Sequence, residues 1–539
     1  MKSAKTYIKS SLRSILNILI LILTLIQSLY ANKITVTPSD YTRHLGNLRP
    51  DDTLFLSAGS YLNNLSLKDI QGTSSQPITI MGEGVGTMFE AQSCCNTVSL
   101  TRCSYLILSN FKLDGKNKFV DAVKAEGTAG NWAHHVTIEK LNIVNYGVDQ
   151  QAVGISTKCP AWNWIIRSNI IIGAGTGMYL GNSPGNMPFV NGIIENNLIK
   201  NTVGYNIEIK HQLNGVRDEF PETRIHGKTI IRYNVFTKDQ SSSTGGNARP
   251  NLLVGGFPTS GWGSMDYYEI YGNLFYNNPV EALLQGTGNI NLYSNIFINH
   301  FDPPGYRTVY FTPHNGVNPQ DVKVFHNTIW SATSTGCLRL FNPHPNYTQY
   351  CYSNAVFSTQ AISNFINQSD NLTDSYENAD KYFLNASKSI SETNLYPQTG
   401  QLKGTMTDRS IFQNLTAYDK DFNEDTYDWT YRGAYSGCCA NNGWKISLDT
   451  IPFDSKISTK TFNPTLPKLN IFPNPFRNYV TVESESTGIL NIYSQEGKKM
   501  FTSPIQPGHQ LIELDHLFPG IYIVYIRSEN GTLQRKIIK

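Results

Sequence analysis

Apolar residues alternate with polar ones over short runs for most of the chain, and the runs repeat. "YLILSNFKLDG" from Tyr105, "WIIRSNIIIGAG" from Trp164, "GIIENNLIKNTVG" from Gly192 and "TIIRYNVFTKD" from Thr229 share one pattern. It continues in "YEIYGNLFYNN" from Tyr268, "INLYSNIFINH" from Ile290, "VKVFHNTIWSA" from Val322 and "QYCYSNAVFS" from Gln349. Each run carries alternating apolar residues to a Ser, Gly, Asn, Tyr or His, then an Asn, then a second short apolar strand. Period-two alternation predicts strands with one face buried. The aligned asparagines are Asn110, Asn169, Asn197, Asn234, Asn273, Asn295, Asn327 and Asn354, with Leu141 in the same place in "VTIEKLNIVNYG" and steps of 22 to 39 residues.

A repeat of this length, too small to bury its own face, implies stacked units. The expected fold is all-β: a right-handed parallel β-helix whose coils bury a column of Ile, Leu, Val and Phe. The Asn is expected at the turn between two strands, where it tolerates left-handed backbone and can bond to the Asn of the next coil. The coils are expected over residues 32–358, followed by a polar capping extension over 359–450, a linker over 451–468 and a small β-sandwich over 469–539.

The first thirty-one residues are read as a signal peptide. Lys2, Lys5, Lys9 and Arg13 precede the apolar run "ILNILILILTLIQSLYA", which ends near Ala31, as in exported proteins. The alternative is a membrane anchor, but the run is short and no stop-transfer charges follow. Eight cysteines in an exported chain point to disulfides. Cys337 with Cys351, which bracket one loop, is the pairing expected. No Cys-x-x-Cys pair occurs, so no zinc site is expected. Charge is nearly balanced, at formal +3. That gives no reason to expect a nucleic-acid or membrane-surface partner. A monomer is expected.

Candidate chemistry comes from "GYNIEIKHQ", Gly204 to Gln212. Ile207 and Ile209 turn inward on a strand, which leaves Asn206, Glu208 and Lys210 outward, with His211 beside them. Neighbouring coils add Tyr179 from "GMYLGN", Arg249 from "GGNARPNLLVGGF", Glu281 and Gln285 from "PVEALLQG", Tyr310 from "RTVYFTPHN" and Arg339 from "CLRLFNPH". Aromatic faces among charges of both signs suit a sugar chain. A solvated strand face is the plainer alternative for any one of them.

Two resemblances add to this. The opening "LRPDDTLFLSAGSYLNNLSLKDIQGTSSQPITIMGEG" and the later "DFNEDTYDWTYRGAYSG" resemble segments of secreted β-helix polysaccharide lyases of the chondroitinase B and alginate lyase type. That resemblance implies a polysaccharide substrate, cleaved by β-elimination next to a uronate. It implies Lys210 as base, Arg249 and Arg339 as charge neutralisers, Tyr310 as proton donor, and calcium as a candidate ligand of Glu208 and Glu281. The lyase motif is Gly-Glu-x-Glu-Ile, whereas Gly204 is followed here by Tyr205. A glycoside hydrolase using Glu208 and Glu281, or a glycan-binding adhesive protein, are the other readings. The C-terminal segment, with Phe472-Pro473-Asn474-Pro475, "GILNIYSQEG", the run from Leu517 and basic Lys536 and Lys539, resembles the type A C-terminal sorting domain of the type IX secretion system of Bacteroidota. That implies the secretion machinery as partner, removal of this domain, and release or attachment at the cell surface.

Overall fold

The computed structural model describes residues 32–243, 245–451, 470–484, 488–494, 499–528 and 531–539. The expected signal peptide lies outside them, as does the expected linker apart from Ile451. The chain divides into two compact units, Met1–Pro452 and Phe453–Lys539.

The first unit is a parallel β-helix. One coil runs Ile165–Arg167, Ile170–Ile172 and Thr176–Leu180, and the next runs Ile193–Glu195, Leu198–Lys200 and Ile207–Ile209. Every strand pairs in parallel with its counterpart in the following coil. Three faces result. Two meet at the asparagine corner and form one continuous set of 25 strands, and the third is an 11-stranded sheet. Inward residues such as Ile166, Ile171, Met178, Ile194, Ile199 and Ile207 are fully buried and form a single column. The ladder goes one coil beyond Ser358, through Asn367–Ser369 and Leu372–Asp374.

The asparagines form a continuous hydrogen-bonded ladder. The backbone N–H and side-chain amide of Asn273 both donate to Asn295 Oδ1, each at 3.0 Å. Asn295 repeats this to Asn327, Asn327 to Asn354, and Asn354 to Asn371. Upstream the ladder passes through Asn234 and Asn197 to Asn169, where Leu141 N–H donates to Asn169 Oδ1 at 3.0 Å. The left-handed turn expected at these asparagines falls one residue earlier. Ser168, Asn196, Tyr233, Gly272, Ser294, His326 and Ser353 all have positive φ. That residue turns the chain, and the Asn side chain then replaces the strand hydrogen bonds the turn interrupts. Asn110 departs from the ladder: its own φ is 61° and its amide donates to Gly82 O.

Truncating Asn273 or Asn295 to Ala strands donors and acceptors on both sides inside the core. Equilibrium urea unfolding should show a loss of roughly 1–3 kcal/mol. Asn354 should behave like them, because Asn371 continues the ladder, and Asn371→Ala at the open end should cost less. Equal, negligible losses would remove the ladder from the account of register.

The polar segment after Asp374 runs back along the outside of the asparagine corner. Tyr427 stacks on His326 at 3.6 Å and Phe412 on Phe325 at 3.9 Å. Ser294 Oγ donates to Lys420 O, and Asn196 Nδ2 to Ile451 O. It therefore covers a lateral edge of the column as far back as Asn196. The expected Cys337–Cys351 disulfide does not form: both thiols are buried separately in the core, where each acts as a small apolar filler. Cys438 and Cys439 are bonded to each other.

The second unit has two antiparallel sheets, of three and four strands. Val480, Val482, Leu490, Ile492, Ile512 and Val524 pack between them as a separate core. A small β-sandwich is what the alternation in this segment predicts.

Candidate active site

The third face carries one outward row in strict register. Lys124 pairs with Ser156, Ser156 with Tyr179, and Tyr179 with Glu208. Glu208 pairs with Leu253, Leu253 with Gln285, Gln285 with Tyr310, and Tyr310 with Arg339. Five of the residues expected from the sequence therefore share one line. Ile207 and Ile209 point inward, as their spacing requires.

This is not a wet strand face. Glu208 is only 4% exposed and Tyr179 8%. Lys210 Nζ donates to Glu208 Oε1 at 2.7 Å and lies 5.6 Å from the centre of the Tyr179 ring. On the coil before that of Tyr179 lies a second lysine against the same ring, a residue missed at the sequence level. Lys158 Nζ sits 3.2 Å from the ring centre. Lys158 and Lys210 occupy equivalent places two coils apart, with Gly181 between them by register. A Cβ at Gly181 would come within 3.1 Å of Lys210 Cβ, so the glycine leaves room for the Lys210 stem. "GISTK" has the alternation that would have exposed Lys158: Ile155 inward, Ser156 outward, Thr157 inward, Lys158 outward.

Burial pushes the Lys158 amine down to about 8; the Asp121 and Glu208 carboxylates oppose that shift, and the Lys124 and Lys210 ammonium groups assist it. Burial raises the Tyr179 phenol, whose oxygen shares a hydrogen bond of 2.6 Å with Ser183 Oγ. His211 and His314 are both pushed down, first by burial and then by the Lys210 charge. The Asn315 amide meets His211 Nδ1 at 2.5 Å.

Other expected residues are placed apart from this cluster. Arg249 is not in the row; Leu253 holds that place. Its guanidinium donates to Gly246 O and Ala248 O of its own loop, 5.8 Å from the Tyr205 ring. Glu281 precedes the strand Leu284–Gly286 and accepts from Gln285 Nε2 at 2.9 Å. Burial raises its carboxyl to about 7. Gln285, not Glu281, shares the row with Glu208, so strand spacing does not set the separation of the two glutamates. Tyr310 lies three strand steps from Glu208, about 14 Å, and Arg339 one step further. The Arg339 Nε is buried without a partner, and its guanidinium lies 5.6 Å from the Phe341 ring.

The Glu208 and Glu281 carboxylates are each engaged by a nitrogen donor, Lys210 and Gln285. Calcium would have to displace both, so this pair does not fit the calcium site that the resemblance implies, and a metal is given no part in the chemistry here.

Residues 470–539 match the family described as "Secretion system C-terminal sorting domain". The second unit is a type IX sorting domain. It addresses the chain to the cell surface or beyond, with the secretion machinery as its partner. No helix among the described residues is long and apolar enough to cross a membrane. No curated protein matches the chain.

Among solved structures, a PL6 family alginate lyase aligns at 13% identity over 83% of this chain and 60% of its own, with a TM-score of 0.45. The chain thus spans less than two thirds of that enzyme's length. The A-module of a mannuronan C-5 epimerase from Azotobacter vinelandii aligns at 15% identity over 60% of this chain and 87% of its own, with a TM-score of 0.36. A pectate lyase aligns at 12% identity over 76% of this chain and 97% of its own, with a TM-score of 0.37.

Proposed function

We propose that the β-helix is a polysaccharide lyase that cleaves a uronate-containing glycan by β-elimination on the third face. One observation carries this reading: two lysine amines lie against the Tyr179 ring, one depressed by burial and the other ion-paired. A base must be uncharged to accept a proton. Lys158, with an amine near 8, suits that task at neutral pH. Lys210, the base expected from the sequence, is held by Glu208 and serves here as the cation that meets the uronate carboxylate. Neutralising that carboxylate lowers the cost of the carbanion formed beside it.

The Lys158 amine takes the proton from C5 of the uronate. The electron pair left on C5 forms the C4–C5 double bond as the C4–O bond breaks. The leaving oxygen takes its proton from the Tyr179 phenol, which burial keeps protonated. Tyr310 is too far from the lysines to act on the same linkage. With Gln285 and Arg339 it lines the path of neighbouring sugar units.

The test offers uronate-containing and neutral glycans and follows ultraviolet absorbance and reducing ends together. A lyase gives both signals on a uronate polymer. Reducing ends without absorbance would overturn the reading in favour of a hydrolase using Glu281, whose raised carboxyl suits an acid. Retention on a glycan with neither signal would make the face a binding surface.

A further inference from the structure

A second constellation lies outside that site. The strand Ala133–Glu139 carries two consecutive histidines, His134 and His135. Consecutive strand residues normally point to opposite faces. Here His135 has a φ of 50°, which turns its ring back to the outside. The two Nδ1 atoms face each other at 2.8 Å. Nitrogen ligands about 2.1 Å from a tetrahedral ion lie about 3.4 Å apart, so the two rings need to open by only about 0.6 Å to hold one ion between them. The carboxylate of Glu222 completes the group: one ligand atom from each of the three residues lies within 4.8 Å of the others.

Neighbouring groups hold each of these side chains. Trp162 Nε1 donates to Glu222 Oε2 at 2.9 Å, which orients the carboxylate and leaves its other oxygen free of that bond. The His134 ring packs against those of Trp162, at 4.5 Å, and Trp132, at 5.1 Å. His135 stacks on Tyr105 at 4.4 Å, and its Nε2 accepts from the Asn163 amide at 3.0 Å. A carboxylate and two imidazoles with hydrogen-bonded outer partners are what a metal centre needs beyond its ligands. An unliganded histidine pair needs only the proton between its nitrogens, and nothing in that pairing calls for a carboxylate fixed against it from a distant loop.

We propose that His134, His135 and Glu222 bind a borderline transition dication, zinc in the first instance, through two imidazole nitrogens and one carboxylate oxygen. Two His and one Glu leave a coordination position open for water. The His135 proton then sits on Nε2 and is accepted by the Asn163 side-chain oxygen once that amide reverses together with the Asn191 amide that now donates to it. The ion ties the insert between Ile209 and Lys228 to the wall of the column. Arg217, 1% exposed, anchors the same insert through Gln212 Oε1 and Asp266 Oδ2. The insert begins at His211, beside the third face, so the ion fixes a segment that borders the proposed lyase site.

The experiment titrates the full chain, freed of metal by chelation, with zinc chloride in a calorimeter and repeats the titration with nickel. The expected result is one equivalent bound at micromolar concentration or tighter, with a rise in melting temperature on saturation. His135→Asn keeps a residue that tolerates positive φ and removes an imidazole. Glu222→Gln keeps an acceptor for Trp162 and removes the charge. Each should weaken zinc binding at least tenfold and abolish the rise in melting temperature. If the chain binds no zinc, or if both variants, shown to be folded by circular dichroism, bind it unchanged, the proposal is overturned. Neither outcome depends on glycan cleavage, so the lyase reading stands or falls separately.

Discussion

Lys158→Ala should lower kcat on a cleaved uronate polymer by roughly 100-fold or more, the usual cost of removing a positioned base. Lys158→Arg should not restore it, because a guanidinium stays protonated and its planar fork cannot occupy the same place against Tyr179. The loss should not come from unfolding. Lys158 has a folded pKa of about 8, below the ordinary value of 10.5. Its charge therefore costs stability at every pH below the folded value, and that cost fades as pH rises toward the unfolded one. Removing the amine relieves the cost in the neutral range.

The same displacement predicts a pH profile. Only the neutral amine accepts a proton, so kcat/KM should rise with pH and level off above about 8. Lys124→Ala offers an independent check. Lys124 is ion-paired with Asp121 at 3.5 Å and lies on the row two strands from Tyr179. Its charge helps depress Lys158, so its loss should move the rise to higher pH and leave the plateau in place. A profile unchanged in Lys124→Ala, or full turnover by Lys158→Ala, would take the base away from Lys158.

The column was legible in the sequence because its signal is repeated. One Asn in a turn says little, but Asn169 to Asn354 in register constrain every coil, and the structure places their amides in one ladder. The same pattern left the turn itself ambiguous. Ser168, Tyr233 and His326 look like filler before the Asn, yet they carry the left-handed backbone. The third face was legible only in part, because connections between the Asn corner and that face differ in length. Glu208 follows Asn197 by 11 positions and Gln285 follows Asn273 by 12, whereas Leu253 follows Asn234 by 19. Glu208, Gln285 and Arg339, which follow similar short connections, fall on the row. Arg249, after the long one, was placed four residues out of register. Lys158 was missed because Leu141 stands in the Asn place of its coil, so no Asn marks where that coil turns. The histidine pair escaped for a different reason: alternation assigns His134 and His135 to opposite faces, and only the positive φ at His135 brings them together.

The structure also changes what a mutation at Lys210 means. An outward lysine on a strand is expected to be neutral for stability, but this one neutralises a Glu208 side chain only 5% exposed. Lys210→Ala leaves that carboxylate covered and without its ammonium, which destabilises the fold as well as removing a site group. The reading of GYNIEIKHQ as inward and outward rows is better tested from the inward side. Ile209 is 1% exposed, sits between Leu180 and Val254 in the ladder, and keeps its backbone bond from Gly255 N at 2.8 Å. Ile209→Asn removes apolar burial worth roughly 2–5 kcal/mol and adds an amide whose unmet hydrogen bonds cost about 1–3 kcal/mol more. Coils of a solenoid are stable only through their neighbours, so the damage should spread along the column. The expected result is a protein that fails to accumulate in folded form or melts far below the parent, while Ile209→Leu, which nearly conserves volume, costs under about 1.5 kcal/mol. A folded Ile209→Asn protein with parental melting would mean that Ile209 does not face the core, and the row from Tyr179 to Arg339 would then have to be drawn on the other side of the sheet.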